Sequence, residues 1–215
     1  GSGDYLSIPT STEFGFGTGA FTVECWIRPD DVSAGDRHIF DMRDGGGDAN
    51  AGRLYIATDQ VRFNIGGSDV VTSGATTLSV DTWYHIAITR SGTSLKLFVD
   101  GSESGSTTNS NDLGSTKRLF IGANFAGSNP FSGHIDEFRV SNTGRYTAAF
   151  TPRHGIFQGD SNTKLLLHLD GEDTQTYTED WSGGESLTNG EEFHNDAILA
   201  TSRLAGAPAG FTGNS

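Results

Sequence analysis

The segment 133–140 carries the residues with the clearest chemical potential, the adjacent acids Asp136 and Glu137. Hydrolysis of a glycosidic bond needs two carboxyl groups flanking that bond, about 5–5.5 Å apart in retaining enzymes. The segment reads as a strand, in which residues i, i+2 and i+4 share one face. His134 and Phe138 flank Asp136 on its face, and Glu137 points to the other face unless a bulge rotates it. The strand offers one carboxylate where two are needed, so we predict that the chain is not an enzyme.

The glycine-rich loop 44–50 suggests metal binding, because Asp44, Asp48 and Asn50 all carry side-chain oxygens. Calcium takes six to eight oxygens from carboxylates, amides and backbone carbonyls. The spacing is not that of an EF-hand, and polar glycine-rich loops are also common without metal. The loop is therefore either a structural calcium site or an ordinary surface loop.

Zinc chemistry and nucleophilic catalysis are not indicated. The six histidines show no zinc-ligand spacing with the single cysteine. The Gly-x-Ser-x-Gly sequence does not occur as a strand-to-helix turn. Cys25 is in phase with Val23 and Ile27 in a strand pattern, so we expect a buried structural thiol. A single cysteine also excludes an intramolecular disulfide.

Sugar recognition commonly combines an aromatic face with a few well-placed polar groups. The loop 124–129 places Phe125 between Asn124 and Asn129, and Trp181 lies in the polar C-terminal part of the chain. We take these four residues as candidate ligand-binding residues. The same loop composition is also found in ordinary hairpin loops, and that alternative stays open.

Charge and length narrow the class of protein. The net charge of −13 argues against nucleic acid, whose phosphates require lysine and arginine. It suits divalent cations and an extracellular setting. No apolar run approaches the length of a membrane span, so we expect no membrane insertion. The 215 residues are enough for a sizeable core.

The pattern of apolar residues predicts an all-β fold. Short segments alternate with period two between glycine-rich turns, and Asp100-Gly101 is a strong hairpin signal. No stretch of a dozen residues shows a helical period. Trp26 and Trp83 lie in strand patterns, so we expect them in the core. In the segment 133–140 the apolar residues fall out of phase, which indicates either a bulge or a strand covered on both faces.

Six motifs in this order resemble the laminin G-like branch of the concanavalin A-like lectin/glucanase superfamily. They are GDYLSIP (3–9), FTVECWIRP (21–29), RLYIAT (53–58), TWYHIAITRSGTSLKLFVDG (82–101), RLFIGA (118–123) and GHIDEFRVSN (133–142). The resemblance covers residues 1–150 and implies an antiparallel two-sheet β-sandwich of the jelly-roll type. It also implies binding of glycans or proteins, often with structural calcium.

Further site residues are implied by the resemblance. Related glucanases take their acids from one strand face as Glu-x-Asp-x-Glu, of which this chain keeps only Asp136. Asp4, Asp136 and Asp170 would together form a structural calcium site at the ends of the sandwich. Asp136 is equally suited to anchoring a neighbouring loop through hydrogen bonds.

The segment 151–215 is predicted to be a C-terminal extension containing an apolar strand at 164–170. The LLLHLDG (165–171) and EDW (179–181) motifs resemble the lead-in that normally precedes the first strand of such domains. Three arrangements are open. The strand pairs with its own sandwich, begins the next repeat of a longer tandem protein, or completes a neighbouring subunit.

The function expected from these features is noncatalytic recognition or adhesion. The partner would be a glycan or a cell-surface polysaccharide, and the module would belong to a secreted, cell-surface or virion protein. The alternative is a structural assembly subunit of a fibre, tail or capsid decoration, linked to other copies through its C-terminal strand. Glycoside hydrolysis is the third possibility.

Overall fold

The computed structural model describes residues 4–33, 35–74 and 77–169, and the backbone of 192–194. In these ranges a three-residue 3₁₀ turn, Thr12–Phe14, is the only helical element. The strands are β1 (Tyr5–Ser11), β2 (Phe21–Pro29), β3 (Arg37–Asp41), β4 (Gly52–Ala57), β5 (Gln60–Ile65), β6 (Ser68–Thr72), β7 (Tyr84–Ser91), β8 (Ser94–Val99), β9 (Ser102–Thr108), β10 (Lys117–Ile121), β11 (Gly133–Ser141), β12 (Thr163–Leu167) and β13 (Glu192–His194).

The strands form two antiparallel sheets. The seven-stranded sheet has the order β13-β1-β10-β3-β4-β5-β6, and the six-stranded sheet has the order β12-β11-β2-β7-β8-β9. The predicted all-β two-sheet sandwich is therefore confirmed. The described residues contain no helix long and apolar enough to cross a membrane.

The main core fills the space between the sheets. The positions predicted from alternation are buried there, including Leu54, Ile56, Val61, Phe63, Ile65, Leu95, Leu97 and Val99. Cys25 lies in the same core as a free thiol, and its burial raises the thiol pKa. The expected structural role of this cysteine is consistent with that position.

A bulge interrupts β11 and explains its irregular apolar phase. The pairing with β2 shifts register between Asp136 and Arg139, and Glu137 adopts a φ of 52°. Ile135 before the bulge and Phe138 after it both reach the inner side, packing on or within the core. The carboxylate of Glu137 accepts a hydrogen bond from the Phe157 backbone N–H (2.7 Å). It also lies 3.0 Å from Nδ1 of His168.

Residues 142–162 cover the outer side of the six-stranded sheet. Tyr146 and Phe150 stack on each other at 3.6 Å between ring centroids and pack edge-on against His85. Trp26 and Trp83 are buried as expected, but they belong to a second apolar cluster with Phe157 and Leu166 rather than to the main core.

A buried ionic network lies beneath this cover. Glu24 is fully enclosed and accepts hydrogen bonds from Arg139 (2.6 and 2.9 Å) and from the Tyr146 hydroxyl (2.7 Å). Nε2 of His85 lies 3.1 Å from the same carboxylate. Burial works to raise the Glu24 pKa, but its partners His85, Arg139 and Tyr146 outweigh burial and hold the pKa at about 2.

The apolar C-terminal strand pairs with the same sandwich. Leu165, Leu166 and Leu167 lie opposite Val140, Arg139 and Phe138 of β11. Of the three arrangements open from the sequence, the structure has the first. Among the described residues, 163–167 thus form one of the two edge strands of the six-stranded sheet.

Candidate functional site

The outer side of the seven-stranded sheet carries a polar surface that we call the arginine face. Its side chains alternate with core residues along β4, β5 and β10, and along β3 they flank the core residues Ile39 and Phe40 at a register shift, so they point away from the core. They are His38, Asp41, Arg53, Tyr55, Arg62, Asn64, Arg118 and Phe120, with Arg43 and Asp69 at its margins. Its arginines Arg53, Arg62 and Arg118 are partly exposed.

Strand register brings residues from distant parts of the chain into rows. Phe120, Asp41, Arg53, Asn64 and Asp69 lie opposite one another on five consecutive strands. Residues directly opposite on an antiparallel pair have Cβ atoms about 4.5–5.5 Å apart, close enough for their side chains to interact. The rows therefore form one continuous surface.

One carboxylate on the face is held by a neighbouring arginine. Asp41 is fully buried and accepts hydrogen bonds from Arg43 Nε (3.0 Å) and Nη2 (2.5 Å) and from the Phe125 backbone N–H (3.1 Å). The Arg43 guanidinium also lies 4.5 Å from the centre of the Phe125 ring. This pairing joins the face to the loop 124–129.

The other carboxylate is held by three polar groups. Asp69 accepts hydrogen bonds from the Tyr55 hydroxyl (2.6 Å), Asn64 Nδ2 (2.9 Å) and Arg62 Nη1 (3.3 Å). Partial burial works to raise the pKa of Asp69, but these hydrogen bonds outweigh it and hold the pKa below its usual range. The carboxylate is therefore ionised at neutral pH.

Two arginines of the face lie over aromatic rings. Cζ of Arg53 is 5.7 Å from the centre of the Tyr55 ring, and Cζ of Arg118 is 5.1 Å from that of Phe120. Such cation–π contacts attract the guanidinium to the ring face. His38 is fully buried and stacks on the same Tyr55 ring, with the two ring centroids 5.4 Å apart.

The predicted ligand-binding loop lies beside this face. Asn124 Oδ1 accepts hydrogen bonds from the backbone of Ala126 and Ser128, so its side chain shapes the loop. Phe125 lies under Arg43, and Asn129 is exposed with its carbonyl accepting from the His38 N–H. Ligand binding by Asn124, Phe125 and Asn129 stays a prediction, and Trp181 lies outside the described residues.

The predicted calcium ligands are only partly brought together. Both oxygens of Asp48 bind Lys117 Nζ at 2.7–2.8 Å, which neutralises its charge, and Asp44 contacts Thr10 at 3.5 Å. Asp4 precedes β1 and Asp136 is buried in β11.

Within the described ranges, no group of three His, Cys, Asp or Glu side chains could hold a metal ion. Asp170 lies outside these ranges. Calcium binding by Asp4, Asp44, Asp48, Asp136 and Asp170 thus stays a prediction that rests on the sequence alone.

The sequence contained a signal for the arginine face in the polar positions of three strands. Arg53-Leu-Tyr55, Arg62-Phe-Asn64 and Arg118-Leu-Phe120 each place an arginine two residues before a ring or an amide. The shared face becomes evident only when the strand order is known.

Two solved structures show the same fold at low sequence identity. A proposed carbohydrate binding protein from Bacteroides ovatus superposes with a TM-score of 0.67 at 22% identity, covering 90% of this chain and 58% of that one. The SAP-like pentraxin from Limulus polyphemus superposes with a TM-score of 0.51 at 17% identity, covering 67% of this chain and 72% of that one. This chain therefore spans little more than half the length of the Bacteroides protein.

No curated protein matches the sequence. The family model that does match is the Laminin_G_3 model, described as concanavalin A-like lectin/glucanases superfamily, and it covers residues 1–149. That range takes in β1 to β11 and the arginine face. The chain belongs to the laminin G-like branch of the concanavalin A-like lectin/glucanase superfamily.

Proposed function

We propose that this protein is a noncatalytic glycan-binding module whose binding surface is the arginine face. The observation that carries the proposal is that side-chain donors on this face have no acceptor in the described part of the chain. They include Nε of Arg53, Arg62 and Arg118. Buried polar groups are normally hydrogen-bonded, and sugars present many hydroxyl and ring oxygens that accept hydrogen bonds.

The loop 124–129 extends this surface at one end. Phe125 and the exposed Asn129 add an aromatic ring and an amide next to Arg43. Glycan binding agrees with the family to which the chain belongs and with the description of the Bacteroides ovatus protein. We further propose that the module acts in adhesion or recognition outside the cell, in a secreted, cell-surface or virion protein.

The assembly alternative has lost its main support. It depended on residues 164–170 pairing with a neighbouring copy, and β12 instead pairs with β11 of its own sandwich. We therefore propose glycan binding alone.

A glycan array followed by an NMR titration tests this function. The protein should bind at least one glycan on the array, and that glycan should shift the backbone amide signals of β3, β4, β5 and β10. The strands β7, β8 and β9 of the other sheet serve as the internal control and should change little. Shifts confined to the control strands, or no array binding, would contradict the proposal.

The protein should also release no reducing sugar from the glycan that it binds. Asp136 and Glu137 are both fully buried, and Glu137 is engaged by Phe157 and His168. Neither carboxylate is accessible to a glycosidic bond or to the water that hydrolysis requires. Reducing-sugar release that is abolished in Asp136→Asn or Glu137→Gln but kept in Glu103→Gln, at an exposed site, would overturn the noncatalytic assignment.

A further inference from the structure

The charge of the arginine face is opposite to that of the whole chain. The protein carries a net charge of −13, yet this face combines four arginines with two aspartates. Both aspartates are already engaged, Asp41 by Arg43 and Asp69 by Tyr55, Asn64 and Arg62. The face therefore has a surplus of positive charge.

The surplus is located on Arg53 and Arg118. In the described part of the chain, neither forms an ion pair with a carboxylate. Outside the arginine face, most cationic side chains of the described residues are paired with acids. These are Arg28, Arg37, Lys96, Lys117, Arg139, Arg145 and Lys164. An acidic protein that leaves two guanidinium groups unpaired on one face has a surface suited to anionic groups.

The geometry of these two arginines favours anion recognition. Each guanidinium lies over a ring, Tyr55 or Phe120, so part of its mobility is already restricted. The planar fork of arginine matches the oxygens of a carboxylate or sulfate with two parallel hydrogen bonds. Nε of each arginine is buried without a protein acceptor in the described ranges.

His38 provides an independent observation at the base of the face. Its ring is fully buried and stacks on Tyr55, and neither ring nitrogen has a hydrogen-bond partner in the described residues. Burial lowers the pKa of His38 to about 4, so the ring is neutral at pH 7 and offers one donor and one acceptor. Buried polar atoms without a partner are uncommon in proteins, and each one calls for a water, an ion or another group to complete its hydrogen bonds.

The spacing of the two arginines suits a polymer with several anionic groups. Arg118 is on β10 and Arg53 is on β4, with β3 between them. Two strand spacings separate the backbones of these residues by about 10 Å, so a ligand can present a separate anionic group to each guanidinium. A chain that carries anionic groups at intervals can do so.

We propose that the arginine face binds an acidic polysaccharide, with Arg53 and Arg118 each holding one sulfate ester or carboxylate group. This inference rests on the proposed function and narrows its ligand to one chemical class. A sulfate ester and a carboxylate group both present a pair of anionic oxygens on a sugar chain. The experiment below distinguishes between these two groups.

The test uses the full chain and three polymers that share one backbone, namely dextran, carboxymethyl dextran and dextran sulfate. Binding to immobilised polymer is measured for the wild type, Arg53→Gln, Arg118→Gln and the double variant. Arg28→Gln is the matched control, because Arg28 is a partly exposed arginine of the other sheet that is paired with Asp81. Arg53→Lys keeps the charge but removes the fork.

Dextran sulfate, carboxymethyl dextran or both should bind the wild type more tightly than dextran, and the better of the two identifies the anionic group. Each single glutamine variant should weaken that binding about tenfold and the double variant about a hundredfold. Arg28→Gln should match the wild type, and Arg53→Lys should fall between the wild type and Arg53→Gln. Added salt should weaken the binding, since exposed charges are screened.

Binding of array glycans without any preference for charged dextrans would overturn this inference while leaving the proposed function intact. A preference for charged dextrans that the double variant retains would also overturn it. Absence of binding to every array glycan and every dextran would overturn both.

Discussion

Replacing Glu24 with alanine is expected to lower the free energy of unfolding by about 3–5 kcal/mol, because removing one member of a buried ion pair leaves the other charge uncompensated. Arg139 would keep its position, with only 11% of its side chain exposed, but would lose its carboxylate. Tyr146 and His85 would lose an acceptor in the same enclosed space. Urea denaturation at neutral pH measures the change.

Two variants define how much of that loss comes from charge. Glu24→Gln keeps the size of the side chain and can still accept a hydrogen bond, so it should cost less than alanine. Glu103→Gln removes an exposed carboxylate paired with Lys96 and should change stability by about 1 kcal/mol or less. A stability of Glu24→Ala within 1 kcal/mol of wild type would show that the network does not hold residues 142–162 in place.

The same carboxylate makes the stability depend on pH in acid. The Glu24 pKa is about 2 in the folded protein against an ordinary value of 4.5. Because the folded pKa is the lower one, the stabilisation is complete above pH 4.5 and is lost as the pH falls towards 2. The wild type should therefore lose more stability across this interval than Glu24→Gln does. Parallel losses in the two proteins would contradict the assignment.

The sandwich itself could be predicted from the sequence, because apolar residues at every second position indicate which side chains of a strand are buried. Leu54 and Ile56 in β4, and Val61 and Phe63 in β5, are buried as their period-two spacing indicates. In a sheet with one face on the core, a one-residue slip would expose every such side chain, so the register follows from the pattern.

The local structure of β11 could not be predicted to the same degree. The apolar phase of the segment indicated either a bulge or two covered faces, and the structure has both. The bulge depends on Glu137 adopting a positive φ, which is uncommon for a residue other than glycine. Contacts with Phe157 and His168, both distant in sequence, hold Glu137 in this conformation.

The residues of the proposed binding surface were harder to predict because they depend on strand order. Composition alone made Asp44 and Asp48 candidate calcium ligands. In the structure the carboxylate of Asp48 is paired with Lys117, which lies 69 residues further along the chain. Arg53 and Arg118 look like ordinary polar positions of separate strands. Only the placement of β3 between β4 and β10 shows that they share a face.

Deleting residues 160–215 is expected to unfold the domain or make it aggregate, because the deletion removes β12. Leu165, Leu166 and Leu167 are each at most 1% exposed. Truncating one buried leucine to alanine costs about 2–5 kcal/mol, so losing three is comparable with the 5–15 kcal/mol that stabilises a typical domain. The deletion also leaves the backbone of β11 as an unpaired edge next to newly exposed apolar surface, an arrangement that promotes aggregation.

A chain that ends at Leu169 is the matched control for this deletion, since it lacks β13 as the shorter chain does but keeps β12 and its pairing with β11. It should remain soluble and unfold cooperatively in urea, whereas the chain ending at residue 159 should not. Size-exclusion chromatography separates aggregates from monomers in both preparations. Should the shorter chain prove as soluble and as stable as the longer one, β12 would be dispensable. Its leucines would then contribute little to the sandwich, contrary to the burial that the structure gives them.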